Sequence, residues 1–92
     1  METHKHAIGT HGRDVELNTV DDWQSLIGTT WIDDKRNERK ITAIEGISTH
    51  CDGSVISCTV LWIRSHWPSD RKPYQAWIST FRTWFNKATR VS

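Results

Sequence analysis

Histidine and cysteine are the residues of this chain that could ligate a metal ion or act as nucleophiles, and they fall into two groups. His4, His6 and His11 lie in a polar N-terminal stretch, where no second shell of ligands can be built around a metal. The second group, His50, Cys51, Cys58 and His66, has neither the Cys-x2-Cys nor the His-x3-His spacing of zinc sites. No phosphate-binding glycine loop or nucleophile elbow is present. The sequence therefore predicts a protein that is not an enzyme and that holds neither a metal nor a cofactor.

The second half of the chain interleaves basic and aromatic side chains. Residues 47–92 contain six Lys or Arg and two acids, a net charge of +4. Cations can hold phosphates and exposed aromatic rings can stack on bases. Trp67 lies between Arg64 and the Arg71-Lys72 pair, so we predict that Trp67 anchors a partner there. The predicted basic contact residues, for a partner protein or for RNA or DNA phosphates, are Arg64, Arg71, Lys72, Arg82, Lys87 and Arg90.

The first half is acidic. Residues 1–46 contain six Lys or Arg and nine acids, a net charge of −3. This asymmetry predicts two surfaces of opposite sign, which would affect partner choice and association rate more than affinity. The alternative is that these carboxylates serve a helix cap, a turn and a solvated edge. The predicted acidic partner surface comprises Asp21, Asp22, Asp33 and Asp34.

Six tryptophans are many for a chain of 92 residues. A domain of this size has few places to bury them all, and tryptophan is a favoured interface anchor. We expect Trp31, Trp62, Trp77 and Trp84 to lie in the core, with Trp23 packing the first helix against it. Trp67 is then the tryptophan that packing alone does not explain.

The N-terminal half predicts an arm, a helix and a hairpin. Residues 1–18 are polar and predict a flexible arm, with a possible edge strand at 14–17, so the folded domain covers 19–92. Thr19 and Asp22 form a capping box, which predicts a helix over 20–27 that ends at Gly28. Residues 29–32 and 39–45 read as strands joined by a charged turn.

The C-terminal half predicts a long strand and a helix. An Asp-Gly turn at 52–53 leads into a strand over 54–67, whose even-numbered face from Ile56 to Trp62 is the more apolar. Residues 74–88 carry a helical stripe of large apolar side chains, namely Trp77, Phe81, Trp84, Phe85 and Ala88. These elements predict an α+β fold: a small antiparallel sheet of about three strands, or four with the edge strand, with a short N-terminal helix and a C-terminal helix packed on it.

The order of these elements resembles that of small accessory proteins of bacteriophages and prophages. The resemblance covers residues 28–86, from a Gly-x-x-Trp opening strand at 28–31 to an aromatic-basic Phe-Arg-x-x-Phe segment at 81–85. Many phage proteins of this size inhibit host defence, among them the anti-CRISPR proteins, which block guide–target pairing without catalysis. The resemblance implies an inhibitor that docks on a host nucleoprotein complex through surfaces of opposite charge.

Two alternatives to an inhibitor remain open at this point. The first is a small single-stranded nucleic-acid-binding or transcription-regulatory protein, which would use the same basic residues. The second is a redox or metal-linked protein that uses Cys51 and Cys58. No signal-peptide or membrane-spanning pattern is visible, so we expect a cytoplasmic protein of a bacterial host with reduced thiols.

Overall fold

A five-stranded antiparallel sheet carries a short N-terminal and a C-terminal α-helix on one face. The computed structural model describes residues 7–64, 66–68 and 71–92. The strand order is β4-β3-β2-β1-β5. The α+β class predicted from the sequence is confirmed, with five strands where about three were expected. In chain order the elements are α1 (Val20–Gln24), β1 (Thr30–Ile32), β2 (Glu38–Thr49), β3 (Val55–Ile63), β4 (Tyr74–Trp77), α2 (Ile78–Phe85) and β5 (Thr89–Arg90).

The first helix begins at the predicted capping box and ends earlier than expected. The Thr19 hydroxyl accepts from the Asp22 amide, and the Asp22 carboxylate accepts from the Thr19 amide at 3.0 Å. Helix α1 ends at Gln24, where a helix to residue 27 was predicted. The chain must turn here because the amide of Gly28 donates to the carbonyl of Ile41 in β2. Gly28 has φ +89°, a conformation that a glycine adopts without strain.

The β2–β3 hairpin is the centre of the sheet. Both strands pair antiparallel from Lys40 with Ile63 to Thr49 with Val55, around the predicted Asp-Gly turn. The second strand was predicted over 39–45, ending before Gly46. Instead, Gly46 lies inside β2 with φ +60°, at a register shift between Glu45 and Ser48. A bulge there lets the strand continue past the glycine.

The predicted helix over 74–88 is too long at both ends, because α2 covers only Ile78–Phe85. Residues 74–77 form strand β4, in which Ala76 pairs with Val60 and Trp77 pairs with Thr59. Pairing with β3 satisfies the backbone of this segment, so the helix begins only at Ile78. Trp77 is therefore 63% exposed rather than part of the core stripe. Downstream, the predicted stripe is confirmed by Phe81 and Phe85, which are buried.

Residues 7–18 belong to the domain, which corrects the predicted boundary at residue 19. Val15 and Leu17 are buried in the core. The Gly12 amide donates to the carbonyl of Ala88 at 2.8 Å, and His11 forms a bridge with Thr89. No strand forms at 14–17; residues 12–14 make a single 3-10 turn. Residues 1–6 of the predicted arm lie outside the described residues.

The core lies between the helix-bearing sheet face and α2. Trp23 and Trp31 are fully buried, with Trp23 against Phe81 and Trp31 edge-on to Phe85 at 4.4 Å between ring centroids. Trp62 is also buried and Trp84 is half-buried. The core assignment is thus confirmed for Trp23, Trp31 and Trp62 and wrong for Trp77. Across the described part of the chain, no helix is long and apolar enough to cross a membrane.

Candidate functional site

Three aromatic rings meet where β3 ends and β4 begins. Tyr74 pairs with Trp62 across the two strands, and their ring centroids are 4.7 Å apart. Trp67 follows β3 and contacts both rings: its centroid is 4.8 Å from that of Tyr74 and 6.3 Å from that of Trp62. Tyr74 is exposed and Trp67 is half-buried. An aromatic surface is therefore open to solvent at this corner of the sheet.

Arginines surround these rings. The guanidinium of Arg71 lies 4.2 Å from the ring centroid of Trp67, and that of Arg64 lies 6.0 Å from it. Guanidinium groups at such distances are attracted to the electron-rich ring face. We call Arg39, Trp62, Arg64, Trp67, Arg71 and Tyr74 the Trp67 cluster.

Arg39 connects the Trp67 cluster to helix α2. Its guanidinium lies 4.1 Å from the ring centroid of Trp62 and 4.4 Å from that of Trp84. The pKa of Arg39 lies below its ordinary value, mainly because burial disfavours the charged guanidinium. The Asp33 carboxylate opposes this shift and the positive charge of Arg64 adds to it. Arg39 shares the helix-bearing face with Trp31, its partner across β1 and β2. The sequence does not single out Arg39, because nothing in a charged strand residue reveals which tryptophans will flank it.

Asp33 fixes the other side of Trp84. One carboxylate oxygen accepts from the amides of Lys35 and Asn37, both at 2.8 Å. The other accepts from the Asn37 side chain at 3.1 Å and from the indole N–H of Trp84 at 2.9 Å. Burial raises the pKa of Asp33, but these four hydrogen bonds outweigh it and the pKa lies below its ordinary value. Asp33 is thus a turn and packing residue.

The six predicted basic contact residues do not form one surface. Arg64 and Arg71 come together at Trp67, and Lys72 follows Arg71 in the chain and is exposed. Arg82 lies elsewhere, on α2, and donates to the carbonyl of Leu17 at 3.3 Å. Lys87 lines a groove with Asp33 and Asp34. Arg90 is in β5, at the opposite end of the strand order from β4.

The four predicted acidic residues are also divided. Asp21 and Asp22 lie in α1. This helix begins next to the start of β3, because Thr19 forms a β-bridge with Ser54. Asp33 and Asp34 precede β2. Because β2 and β3 are antiparallel, the two pairs lie near opposite ends of a 12-residue strand, which is about 37 Å long at about 3.4 Å per residue. Asp22 is buried in its capping box, as the alternative interpretation held.

Opposite charges are intermixed rather than separated. An open groove of about 450 Å³ runs between the β1–β2 turn and the outer side of α2. It is lined by Asp33 and Asp34 together with Lys35 and Lys87. The fold therefore places Lys87, from the basic half of the sequence, beside the acidic β1–β2 turn.

The two cysteines lie in different environments. Cys51 is exposed in the hairpin turn, and Cys58 is fully buried in β3. Burial raises the pKa of the Cys58 thiol to about 11, so this thiol stays protonated and unreactive at neutral pH. No group of three or more potential ligands that could hold a metal occurs among the described residues, which leave out His4 and His6.

No protein-family profile, no curated protein and no solved structure matches this chain. The interpretation of the Trp67 cluster therefore depends on its own geometry and chemistry.

Proposed function

We propose that this protein is a non-catalytic binding protein that holds single-stranded RNA or DNA on the Trp67 cluster. The observation that supports the proposal is the meeting of the Trp67 and Tyr74 rings with two partly or fully exposed guanidiniums, those of Arg64 and Arg71. Every base has a π face, and stacking on an aromatic side chain contributes about 1–3 kcal/mol per base. The guanidiniums supply the contacts to phosphate.

The strand must be single because paired bases offer only their edges to a protein. An unpaired base can stack on the exposed Tyr74 ring. It can also stack on Trp67 in place of the Arg71 guanidinium, which then contacts a phosphate instead. Arg64, Arg71 and Lys72 are the local cations. If these residues make about three phosphate contacts, a plot of the logarithm of the binding constant against the logarithm of the salt concentration should have a slope of about −2.

Oligonucleotide binding measured by tryptophan fluorescence tests this proposal. The probe is a six-nucleotide single strand, short enough to occupy one cluster. We expect Trp67→Ala to weaken binding at least tenfold and Arg71→Ala to weaken it and reduce the salt slope. The matched controls are Trp77→Ala, an exposed tryptophan outside the cluster, and Arg82→Ala, an exposed arginine on α2. Equal losses in the cluster and control variants would contradict the assignment of the site.

An inhibitor that docks on a host nucleoprotein is the second candidate, and the net charge of +1 favours it. General nucleic-acid binders are far more basic, whereas a nucleoprotein adds protein contacts to a few phosphate contacts. Affinity capture from a bacterial lysate, with and without nuclease, distinguishes the two candidates. Nuclease-resistant capture of a protein complex, with little affinity for the bare oligonucleotide, supports the inhibitor. In either case Arg71→Glu with Lys72→Glu should abolish binding while the fold persists.

A further inference from the structure

The sheet face opposite the helices carries more apolar side chains than a solvent-facing sheet usually does. Residues paired across strands share a face, and residues alternate between faces along each strand. Thr59, Leu61 and Ile63 of β3 therefore lie on this face. Their cross-strand partners lie there too. We call Lys40, Ala43, Glu45, Thr59, Leu61, Ile63, Gln75 and Trp77 the open sheet face.

Partly exposed apolar side chains form the middle of the open sheet face. Antiparallel sheets with one face in water usually present polar side chains on that face. Here Leu61, Ile63 and Ala43 are each only half-buried, and Trp77 beside Thr59 is 63% exposed. Both helices lie on the opposite face, where Arg39 touches Trp84 of α2. Within the described residues, no helix covers the open sheet face.

Two charges on β2 point to a second copy as the occupant. Lys40 and Glu45 are exposed and lie on either side of Ala43 on the open sheet face. Suppose that two copies stack with their open sheet faces together. A two-fold axis can then lie between the faces, perpendicular to the strands and level with Ala43. This axis makes the β2 strands of the two copies run in opposite directions. Lys40 then lies opposite Glu45 of the partner subunit, and the pairing occurs twice because a two-fold interface is self-complementary.

We propose that this protein forms a two-fold homodimer through the open sheet face. Lys40 and Glu45 have opposite charges, and Glu38 lies on the same face beside Lys40. This face therefore has no net positive charge to attract phosphates. Residues 1–6, METHKH, have methionine as their single large apolar residue, which is a poor match for the patch. The dimer leaves the Trp67 cluster free, since Trp62 and Tyr74 lie on the other face, so it does not depend on the proposed function.

The strength of the dimer follows from the size of the patch. Lys40 and Glu45 pair with Ile63 and Thr59, which are four residues apart. The patch therefore spans about 14 Å along the strands, and three strands span about 10 Å across it. Such a patch is smaller than the roughly 800 Å² per partner of a standard interface, so we expect a weak, transient dimer with a dissociation constant on the order of 100 μM.

Charge exchange tests the dimer by sedimentation equilibrium from about 10 to 500 μM. In a homodimer of Lys40→Glu, residue 40 meets another acid, and in a homodimer of Glu45→Lys, residue 45 meets another base. We expect each variant alone to dimerise at least tenfold more weakly than the natural sequence. An equimolar mixture of the two pairs opposite charges at both positions, so we expect the mixture to dimerise again. Lys35→Glu, an exposed charge change in the β1–β2 turn, is the matched control.

Circular dichroism of each variant confirms that it is folded before the comparison. Trp77→Ala removes apolar area without changing charge and should also weaken the dimer. A natural sequence that stays monomeric at 500 μM overturns the proposal. So does a mixture that remains as monomeric as its components, because the pairing of Lys40 with Glu45 is then absent.

Discussion

The Asp33→Asn substitution tests whether a single carboxylate joins the β1–β2 turn to helix α2. In the folded protein one oxygen of Asp33 accepts from two backbone amides, and the other accepts from the side chains of Asn37 and Trp84. An asparagine keeps one oxygen for the backbone amides but places an NH2 group opposite the other two donors. Either hydrogen bond can be regained only if a side-chain amide turns over.

The expected cost of Asp33→Asn follows from these contacts. A hydrogen bond to a charged group contributes about 1.5–3 kcal/mol, and a rotated Asn37 amide can recover one of the two bonds. Because Asp33 is partly exposed, solvent screening reduces the effect. We expect Asp33→Asn to lower the free energy of unfolding by about 1–2 kcal/mol at pH 7. Asp34→Asn, at the exposed neighbouring position, is the matched control and should change it by less than about 0.5 kcal/mol.

The pH dependence gives a second, independent readout. The pKa of Asp33 is lowered in the folded state, so its stabilisation is fully present above the unfolded pKa of about 3.9. The stabilisation is lost as pH falls through the lower, folded pKa. The difference between the natural sequence and Asp33→Asn should therefore be constant near neutrality and shrink below about pH 4.

Urea unfolding followed by tryptophan fluorescence at pH 7 and at pH 3 measures both quantities. Equal losses for Asp33→Asn and Asp34→Asn would refute the role given to the four hydrogen bonds. A difference that grows as the solution is acidified would contradict the direction of the pKa shift.

Two further predictions concern the packing of the N-terminal half. Gly12→Ala should lower the free energy of unfolding by about 2 kcal/mol or more, because an added Cβ would lie 1.9 Å from the backbone oxygen of Phe85. The control is Arg13→Ala, at an exposed neighbouring position, which should have little effect in the same urea unfolding assay. Trp31→Phe should lower the free energy of unfolding by about 1 kcal/mol more than Trp23→Phe does. The Trp31 indole donates to the Thr29 hydroxyl at 2.7 Å, whereas the buried Trp23 indole N–H has no partner among the described residues. Equal costs of the two tryptophan substitutions in urea unfolding would show that the indole hydrogen bond contributes nothing.

Sequence patterns predicted those elements whose signals are local. The capping box of α1 and the Asp-Gly turn of the hairpin depend on side chains that bond to backbone a few residues away. The even-numbered face of β3 was predicted because alternation requires no knowledge of the partner strand. Cys58, Val60 and Trp62 are buried on that face as expected, whereas Ile56, which was assigned to the same face, is 50% exposed.

The errors arose where a distant partner decided the local structure. Residues 74–77 fit a helical stripe, but the exposed edge of β3 offered them strand pairing. Residues 7–18 are polar enough to read as an arm, but Val15 and Leu17 find space in the core. In both cases a long-range contact outweighed a weak local preference.

The candidate site divides in the same way. Sequence alone identified Trp67 with Arg64 and Arg71, because these residues are close along the chain and share one connector between strands. Only the tertiary structure added Arg39, which reaches the site from β2, and showed that the Tyr74 ring contacts Trp67. It also separated the remaining charges. Net charge along a sequence carries no information about which surface each residue will occupy, since strand order and helix docking place Lys87 beside Asp33 and move Arg90 to the opposite edge.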